Sequence, residues 1–235
     1  MQLSKRMQMI ADMAAPSACT ADIGTDHGYI PIYLALQGIA DHAIAADVRK
    51  GPLARARDHI RENGLEERIE LRLGDGLTVL HPGEADQIII SGMGGLLMTR
   101  ILKDSPQIPA AAKALILQPQ SDIDLVRRYL HESGFCIEKE DMTIDEGKYY
   151  TVIRAVHGKD QEYSAEDDLY GRLLIESGHP VLIRFLQDTV RKQKEIRDHL
   201  SGQDSEKCRV RREELELSIA AAEKVLERAE RSRDS

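Results

Sequence analysis

Five short runs of apolar and β-branched residues recur along the first half of the chain, and helix-length stretches separate them. The runs cover residues 19–23, 42–47, 69–73, 87–91 and 114–118. After the second run, apolar side chains between Leu53 and Ile60 fall on one face of a helix that Gly64 would end. This alternation predicts an α/β fold in which helices cover both faces of a parallel sheet.

Two further strand-like segments follow the five α/β units. They lie within residues 135–156, and Asp145, Glu146 and Gly147 form a turn signal between them. We therefore expect an antiparallel hairpin to complete the sheet, which would then contain seven strands.

An amphipathic segment precedes the first strand. Residues 3–13 place apolar side chains on one face of a helix, and Ser4 is positioned to cap it. Lys5 and Arg6 are then expected at the exposed start of this helix, either as solvated charges or as contacts to phosphate.

The last third of the chain has a different character, because β signals stop after about residue 158 and charged residues become denser. Apolar residues spaced three and four apart over 183–200 and 215–229 predict two long helices. Joined near Ser201-Gly202-Gln203-Asp204, these helices should form an antiparallel coiled-coil hairpin. We expect an α/β domain over residues 1–158 and a C-terminal helical coiled-coil domain over residues 159–235.

The overall charge and the cysteines limit the possible partners and compartments. A formal net charge of -8 gives no general attraction for nucleic acid, so such contact would need a local basic patch, such as RVRR at 209–212. Cys19, Cys136 and Cys208 form no CxxC pair, which argues against a metal site or a disulfide framework. The chain also has no run of about 18 apolar residues and no leader pattern. We therefore expect a soluble, cytoplasmic protein that contacts no membrane.

Polar residues and glycines follow each predicted parallel strand. Because ligands of doubly wound sheets bind beyond the carboxyl ends of the strands, these residues should line one pocket. They are Asp22, Gly24, Asp26 and Gly28 after the first strand, Asp47 after the second, Asp75 and Gly76 after the third, residues 91–95 after the fourth, and Gln118 and Gln120 after the fifth. Together they predict a pocket for a nucleoside cofactor.

The acidic residues in this pocket favour one kind of nucleoside cofactor. The first turn lacks GxGxxG, and its Asp26 would repel a pyrophosphate; the chain also has no GxxxxGK[ST]. S-adenosylmethionine carries no phosphate but has a sulfonium and an ammonium group. Asp22 or Asp26 could approach its amino-acid end, Asp47 its ribose, and Asp75 with Gly76 its adenine. This plan is that of a class I methyltransferase.

Several motifs make the resemblance more specific. They are LSKR at 3–6, ADIGTDHGYIP at 21–31, GDGL at 74–77, SGMGG at 91–95 and LILQP at 115–119. With these motifs and the helical tail, nearly the whole chain resembles the bacterial tRNA (adenine-22-N1)-methyltransferase family. The resemblance implies a Rossmann-like catalytic domain, a C-terminal coiled coil, S-adenosylmethionine as cofactor, and tRNA as the substrate, methylated on N1 of adenine 22.

Transfer to ring N1 requires little acid–base chemistry, because N1 already has an in-plane lone pair. Catalysis can therefore rest on the alignment of N1, the methyl carbon and sulfur. In SGMGG, Gly92 and Met93 are expected beside the cofactor, with Met93 as an apolar wall, whereas Gly94 and Gly95 would let the target base approach. These glycines replace the Asn/Asp-Pro-Pro-Tyr/Phe turn of enzymes that methylate the exocyclic amine.

The target adenine must leave its stack and be held by hydrogen bonds. Asp26 or His27 could orient its amino group, and Gln118 could add a contact. Lys5 and Arg6 are expected to bind tRNA phosphates. Reversing both of their charges should then weaken tRNA binding and leave cofactor binding intact.

Two other readings remain open at this point. The chain could be a class I methyltransferase acting on another RNA position or on a small metabolite. It could also be a nonenzymatic adaptor with a vestigial pocket, although the intact Asp22, Gly24, Asp47 and Asp75 argue against decay of the site. No obligate protein partner is evident from the sequence.

Overall fold

The computed structural model describes residues 1–200, 202 and 205–234. The chain divides into two compact units, Met1–Glu162 and Tyr163–Ser235. This boundary lies four residues beyond the one that the composition predicts. Of the predicted turn at residues 201–204, Gly202 alone is described, and the other three positions lie outside the described residues.

Seven strands form a single sheet in the first unit, as expected. They are β1 (Ser17–Ile23), β2 (Ala40–Asp47), β3 (Ile69–Leu73), β4 (Gln87–Met93), β5 (Ala114–Pro119), β6 (Phe135–Asp145) and β7 (Lys148–His157). Their order is β3-β2-β1-β4-β5-β7-β6, with the first five parallel to one another and β7 antiparallel to both β5 and β6. The strand order reverses between β1 and β4, which is where ligands of such sheets bind.

Five helices of eight or more residues accompany this sheet. They are α1 (Lys5–Asp12), α2 (Tyr29–Leu36), α3 (Lys50–Glu62), α4 (Gly95–Asp104) and α5 (Ile123–Glu132). Short 3-10 helices cover Gly76–Val79 and Pro109–Ala111. Ser4 caps α1 as expected, because its hydroxyl accepts a hydrogen bond from the Met7 N–H at 3.3 Å. The central strands β4 and β5 form the core, with residues 88–90 and 114–117 fully buried.

The second unit is helical. It contains α6 (Ala165–Tyr170), α7 (Arg172–Glu176), α8 (Pro180–Leu200) and α9 (Glu206–Arg233). Gln187 contacts Glu230, whereas Lys194 contacts Glu223, so α8 and α9 run antiparallel, as the spacing predicts. The buried seam contains Leu182, Ile183, Leu186 and Val190 of α8 and Leu215, Ile219, Ala222, Val225 and Ala229 of α9. Within the described ranges, no helix has the length and hydropathy needed to span a bilayer.

Candidate active site

A cleft of about 440 Å³ lies at the carboxyl edge of the parallel strands. Nine of the predicted site residues line it: Arg6, Asp22, Gly24, Asp26, Asp47, Asp75, Gly76, Gly92 and Met93. Five others lie outside its lining: Lys5, His27, Gly94, Gly95 and Gln118. The cleft therefore collects the acidic residues and glycines from the ends of β1 to β4, together with one arginine from α1.

The order of the strands places the four acidic side chains along the cleft. Asp75 follows β3, Asp47 ends β2, and Asp22 lies within β1 with Asp26 just beyond it. Against these four carboxyl groups the lining has two guanidinium groups, so the fully ionised set has a formal charge of -2. Such a cleft favours a ligand that carries positive charge.

Asp22 is the most enclosed of these acids. Its neighbours in the sheet are Ala45 of β2 and Ile89 of β4, and its side chain is almost fully buried. Burial raises the pKa of Asp22 from 3.8 to about 6; the Asp47 carboxylate also raises it, whereas the neighbouring Thr25 hydroxyl lowers it. Asp22 is therefore an unfavourable place for a negative charge unless a cationic group is present.

Replacing Asp22 with asparagine is expected to stabilise the protein at neutral pH. Because the folded-state pKa is raised, the favourable contribution of protonated Asp22 is fully present below pH 3.8 and is lost as pH rises through about 6. The stability advantage of Asp22→Asn should thus be absent near pH 3.8 and reach about 3 kcal/mol above pH 7, from 1.36 kcal/mol per pKa unit. Urea unfolding at pH 5, 6, 7 and 8 measures this; an advantage that does not grow with pH contradicts it.

Asp47 is held rigidly at the end of β2. Its Oδ1 accepts a hydrogen bond from the Arg49 backbone N–H at 2.7 Å, and the side chain is buried. Arg49 Nε lies 3.6 Å from the same oxygen. The adjacent β1 turn is tied to β2, because the N–H groups of Gly24 and Thr25 both donate to the Ala46 carbonyl. The carboxylate thus has a fixed direction before any ligand arrives.

Gly24 lies against Met93 across the floor of the cleft. Its φ is +77°, and a Cβ at this position would lie 2.1 Å from Met93 Cε. The left-handed backbone of the turn favours glycine at this position, and the absence of a side chain also leaves space for the flexible end of Met93. Met93 lines the cleft with an apolar side chain.

Asp26 and His27 are neighbours, but Asp26 lines the cleft and His27 does not. Asp26 lies at the mouth of the cleft with 62% of its side chain exposed, 3.4 Å from Arg55 Nη2 and 3.3 Å from His27 Nε2. His27 has a φ of 63°, and its ring stacks on Tyr29 and His59 at centroid distances of 5.4 and 5.7 Å. His27 Nε2 can accept from Arg55 Nε at 3.2 Å when unprotonated, or donate to Asp26 when protonated.

Arg6 differs from the expectation that it lies exposed beside Lys5. Lys5 is exposed, but Arg6 is half-buried and lines the cleft. Its Nη1 donates to Gln118 Oε1 at 3.0 Å, and its backbone N–H donates to Asp145 Oδ2 at 3.1 Å. Gln118 is fully buried behind Arg6 and donates from Nε2 to the Pro119 carbonyl, so its contact is with Arg6 and not with the cleft.

The glycines of SGMGG also have a packing role. Gly95 donates its N–H to the Ser121 carbonyl at 2.9 Å, and a Cβ on Gly95 would lie 2.4 Å from the Asp122 carbonyl oxygen. A Cβ on Gly94 would lie 3.0 Å from Ser121 Oγ. Both residues are thus packed against the turn that follows β5, and the absence of a side chain at Gly95 is required by that contact.

Some cleft residues were not singled out by the sequence. Tyr29, Val48, Leu97 and Ile101 also line the cleft. Val48 is 62% exposed, although valine is more often buried. In the sequence, its only link to the site is its position next to Asp47. These side chains give the acidic cleft its apolar walls.

Comparison with known proteins agrees with this geometry. Residues 3–153 match the family described as a methyltransferase domain. Over 233 residues the chain is 31% identical to the tRNA (adenine(22)-N(1))-methyltransferase of Bacillus subtilis, covering 97% of this chain and 98% of that protein. This chain belongs to the same family.

Solved structures of similar proteins have the same fold. The crystal structure of the Bacillus subtilis m1A22 tRNA methyltransferase TrmK is 31% identical, with a TM-score of 0.85 over 96% of this chain and 99% of that one. Streptococcus pneumoniae Sp1610 in complex with S-adenosyl-L-methionine is also 31% identical, with a TM-score of 0.86 over 96% and 100% of the two chains. The seven-stranded Rossmann-like sheet and the helical tail are thus shared along the full length.

The residues of the cleft fit S-adenosylmethionine, the cofactor of this family. Asp47 is buried and already oriented, Asp22 gains from a nearby cation, and the four acidic side chains of the lining outnumber its two arginines, which disfavours a pyrophosphate. Within residues 1–200, 202 and 205–234, no group of three or more His, Cys, Asp or Glu side chains is placed to hold a metal ion.

Proposed function

We propose that this chain transfers the methyl group of S-adenosylmethionine to N1 of adenine 22 in tRNA. The observation that carries the proposal is the acidic cleft at the point where the strand order reverses, in a chain of this family. The relative from Bacillus subtilis is named for the same atom of the same nucleotide. The enzyme is accordingly a tRNA (adenine-N1)-methyltransferase.

The cofactor supplies an electrophilic methyl group on a sulfonium. On this chain, Asp47 would accept hydrogen bonds from the ribose hydroxyls, and Asp75 with Gly76 would lie at the adenine edge, as the positions of β2 and β3 indicate. Asp22 lies nearer to β4 and would stabilise the positive charges of the cofactor. A buried, fixed carboxylate such as Asp47 pays little entropy when it binds.

The reacting end needs alignment more than proton transfer. Because N1 of adenine carries a lone pair, no residue of this chain has to remove a proton before the methyl group moves. Met93 and the adjacent Gly92 would form an apolar wall that excludes water and holds the base in line with the methyl group. This assigns Met93 to positioning and leaves the chain without a required general base.

Asp26 is the residue we assign to the amino group of the target adenine. Its exposed carboxylate at the cleft mouth can accept a hydrogen bond from that group, whereas the His27 ring lies outside the cleft and is stacked on Tyr29. Asp26→Ala is expected to lower kcat about 30-fold, because a hydrogen bond to a charged acceptor contributes about 2 kcal/mol. The affinity for S-adenosylhomocysteine should change less than about threefold.

His27→Ala is the matched comparison for Asp26. It removes a stacked ring outside the cleft and is expected to lower stability by about 1 kcal/mol while changing kcat less than about threefold. Single-turnover methyl transfer and calorimetry separate the two effects. A loss of cofactor affinity in Asp26→Ala that equals the loss of kcat would assign Asp26 to the cofactor instead.

The tRNA backbone requires more cations than the two arginines of the acidic cleft provide. Lys5 is exposed and remains our prediction for a phosphate contact. In the helical unit, Lys207, Arg209 and Arg211 are exposed as well. Arg209 pairs with Glu206, and Arg211 pairs with Glu214, each one helical turn away. Surface pairs of this kind are weak, so their arginines can exchange partners for phosphates. The cytoplasmic location and the absence of an obligate protein partner stay predictions.

A transfer assay tests the proposal directly. The purified chain would be incubated with methyl-labelled S-adenosylmethionine and unmodified tRNA, and the modified nucleotide mapped. We expect 1-methyladenosine at position 22, and no labelling of a tRNA carrying guanosine there. Label at another nucleotide or on small metabolites would select another methyltransferase, and no transfer to any acceptor would favour an adaptor.

A further inference from the structure

Two guanidinium groups line the cleft, and they lie at opposite ends of it. Arg49 follows β2, at the end where Asp47 lies. Arg6 reaches the cleft beyond β4, because a Cβ placed on Gly92 would lie 3.5 Å from Arg6 Nη1 and 3.9 Å from Gln120 Nε2. Strand β1 lies between β2 and β4, so the two arginines flank the acidic centre of the cleft.

Contacts with strands β5, β6 and β7 fix the position of Arg6. Gln118 of β5 accepts from its Nη1, Asp145 of β6 accepts from its backbone N–H, and the ring centroid of Tyr150 on β7 lies 5.6 Å from its guanidinium carbon. A guanidinium has five N–H donors, of which Gln118 receives one. The side chain is thus oriented in advance and presents further donors at the cleft.

The charges along the cleft indicate what these donors bind. S-adenosylmethionine has one anionic group, the carboxylate of its amino-acid end, and the four acidic side chains of the cleft would repel it. Arg49 is drawn to Asp47, and its side chain is 73% exposed at the ribose end. With the nucleoside at β2 and β3, the amino-acid end extends past β1 towards β4, where Arg6 lies.

We propose that Arg6 binds the carboxylate of S-adenosylmethionine and that Gln118 is the positioning residue that holds it there. This inference rests on the proposed function only for the identity of the cofactor. It replaces the expectation that Arg6, like Lys5, serves tRNA phosphates. The bidentate geometry of a guanidinium suits a carboxylate, and the half-buried position strengthens the pairing.

Calorimetry with two ligands tests the assignment in the absence of tRNA. The first ligand is S-adenosylhomocysteine, and the second is the same molecule with hydrogen in place of its carboxylate, which keeps the amine. Arg6→Ala is expected to weaken binding of the first ligand roughly 10- to 100-fold, the range for a charged hydrogen-bonded pair. It should change the affinity for the second less than about twofold.

Two further variants serve as controls. Lys5→Ala removes the neighbouring cation of α1, which does not line the cleft, and should leave both affinities unchanged. Gln118→Met removes the acceptor for Arg6 and should weaken S-adenosylhomocysteine binding roughly fivefold, with no effect on the decarboxylated ligand. Thermal unfolding of each variant identifies any loss of the fold, which would affect both ligands alike.

Equal weakening of both ligands by Arg6→Ala would overturn the proposal, and so would unchanged binding of both. In the latter case, a weaker affinity for tRNA would return Arg6 to a phosphate contact. A different result would contradict the proposed function. If Arg6 selects the carboxylate but tRNA receives no methyl group, the cofactor-binding role of Arg6 is retained and tRNA is rejected as the substrate.

Discussion

Replacing Asp47 with alanine is expected to weaken S-adenosylmethionine binding about 100-fold, because two hydrogen bonds from ribose hydroxyls to a buried carboxylate are lost. The backbone N–H of Arg49, which donates a hydrogen bond to Asp47 Oδ1 at 2.7 Å, would also lose its acceptor. Asp47→Asn keeps one acceptor oxygen and should lose about tenfold. Calorimetry with S-adenosylhomocysteine measures both effects, and kcat at saturating cofactor should change much less.

Asp58→Ala is the matched control for Asp47. Asp58 is an exposed carboxylate on α3 that pairs with Arg61 one turn away, and it does not line the cleft. Its removal should leave cofactor affinity unchanged, since exposed pairs contribute little. If Asp47→Ala bound the cofactor as well as Asp58→Ala does, the ribose would have to lie elsewhere in the cleft.

Gly95→Ala is expected to cost about 3 kcal/mol of stability, at the upper end for overpacking. The added Cβ would lie 2.4 Å from the Asp122 carbonyl oxygen and 2.6 Å from that of Ser121. These are backbone atoms, which cannot rotate away as a side-chain tip can. Urea unfolding measures the loss, and methyl transfer at low temperature should fall as the turn is displaced.

Gly51→Ala distinguishes this clash from the ordinary effect of alanine. Gly51 also lies in the first turn of a helix, α3, but its added Cβ would meet nothing closer than Arg55 Nη1 at 3.9 Å. Because alanine has the higher helix propensity, Gly51→Ala should be neutral or up to about 1 kcal/mol more stable. Similar destabilisation in both variants would show that the contact at Gly95 is not the cause.

The sheet and the acidic residues of the cleft follow from the sequence because their signals are local. Each parallel strand is a short apolar run, and the acids Asp22 and Asp47 lie within or at the end of such runs. The position of Asp75 follows from the same rule, since the carboxyl ends of parallel strands meet at one edge.

The orientation of Arg6 has no local signal. Its partners Gln118 and Asp145 lie 112 and 139 residues away in the chain, and only the folded sheet brings them to α1. Helical spacing gives the face of an amphipathic helix but not the direction of a long side chain at its start. The contact of Gly95 with Asp122 is long-range in the same sense, so a glycine expected to admit a base is also required for packing.

Backbone hydrogen bonds join the end of β4 to the segment that follows β5, and they bear on how the proposed target adenine would enter the cleft. Gln120 donates its N–H to the Met93 carbonyl at 2.8 Å, and Gly95 donates to Ser121 at 2.9 Å. Each segment donates one backbone hydrogen bond to the other. Moving either segment alone would break both bonds, at a cost of about 1 kcal/mol per bond. If Gly92 and Met93 form the wall beside the methyl group, as we propose, that wall is stiff and the adjustment needed for entry falls on the RNA. Selectivity among tRNAs would then depend in part on how easily the target nucleotide leaves its stack, which is a property of the flexibility of the tRNA itself.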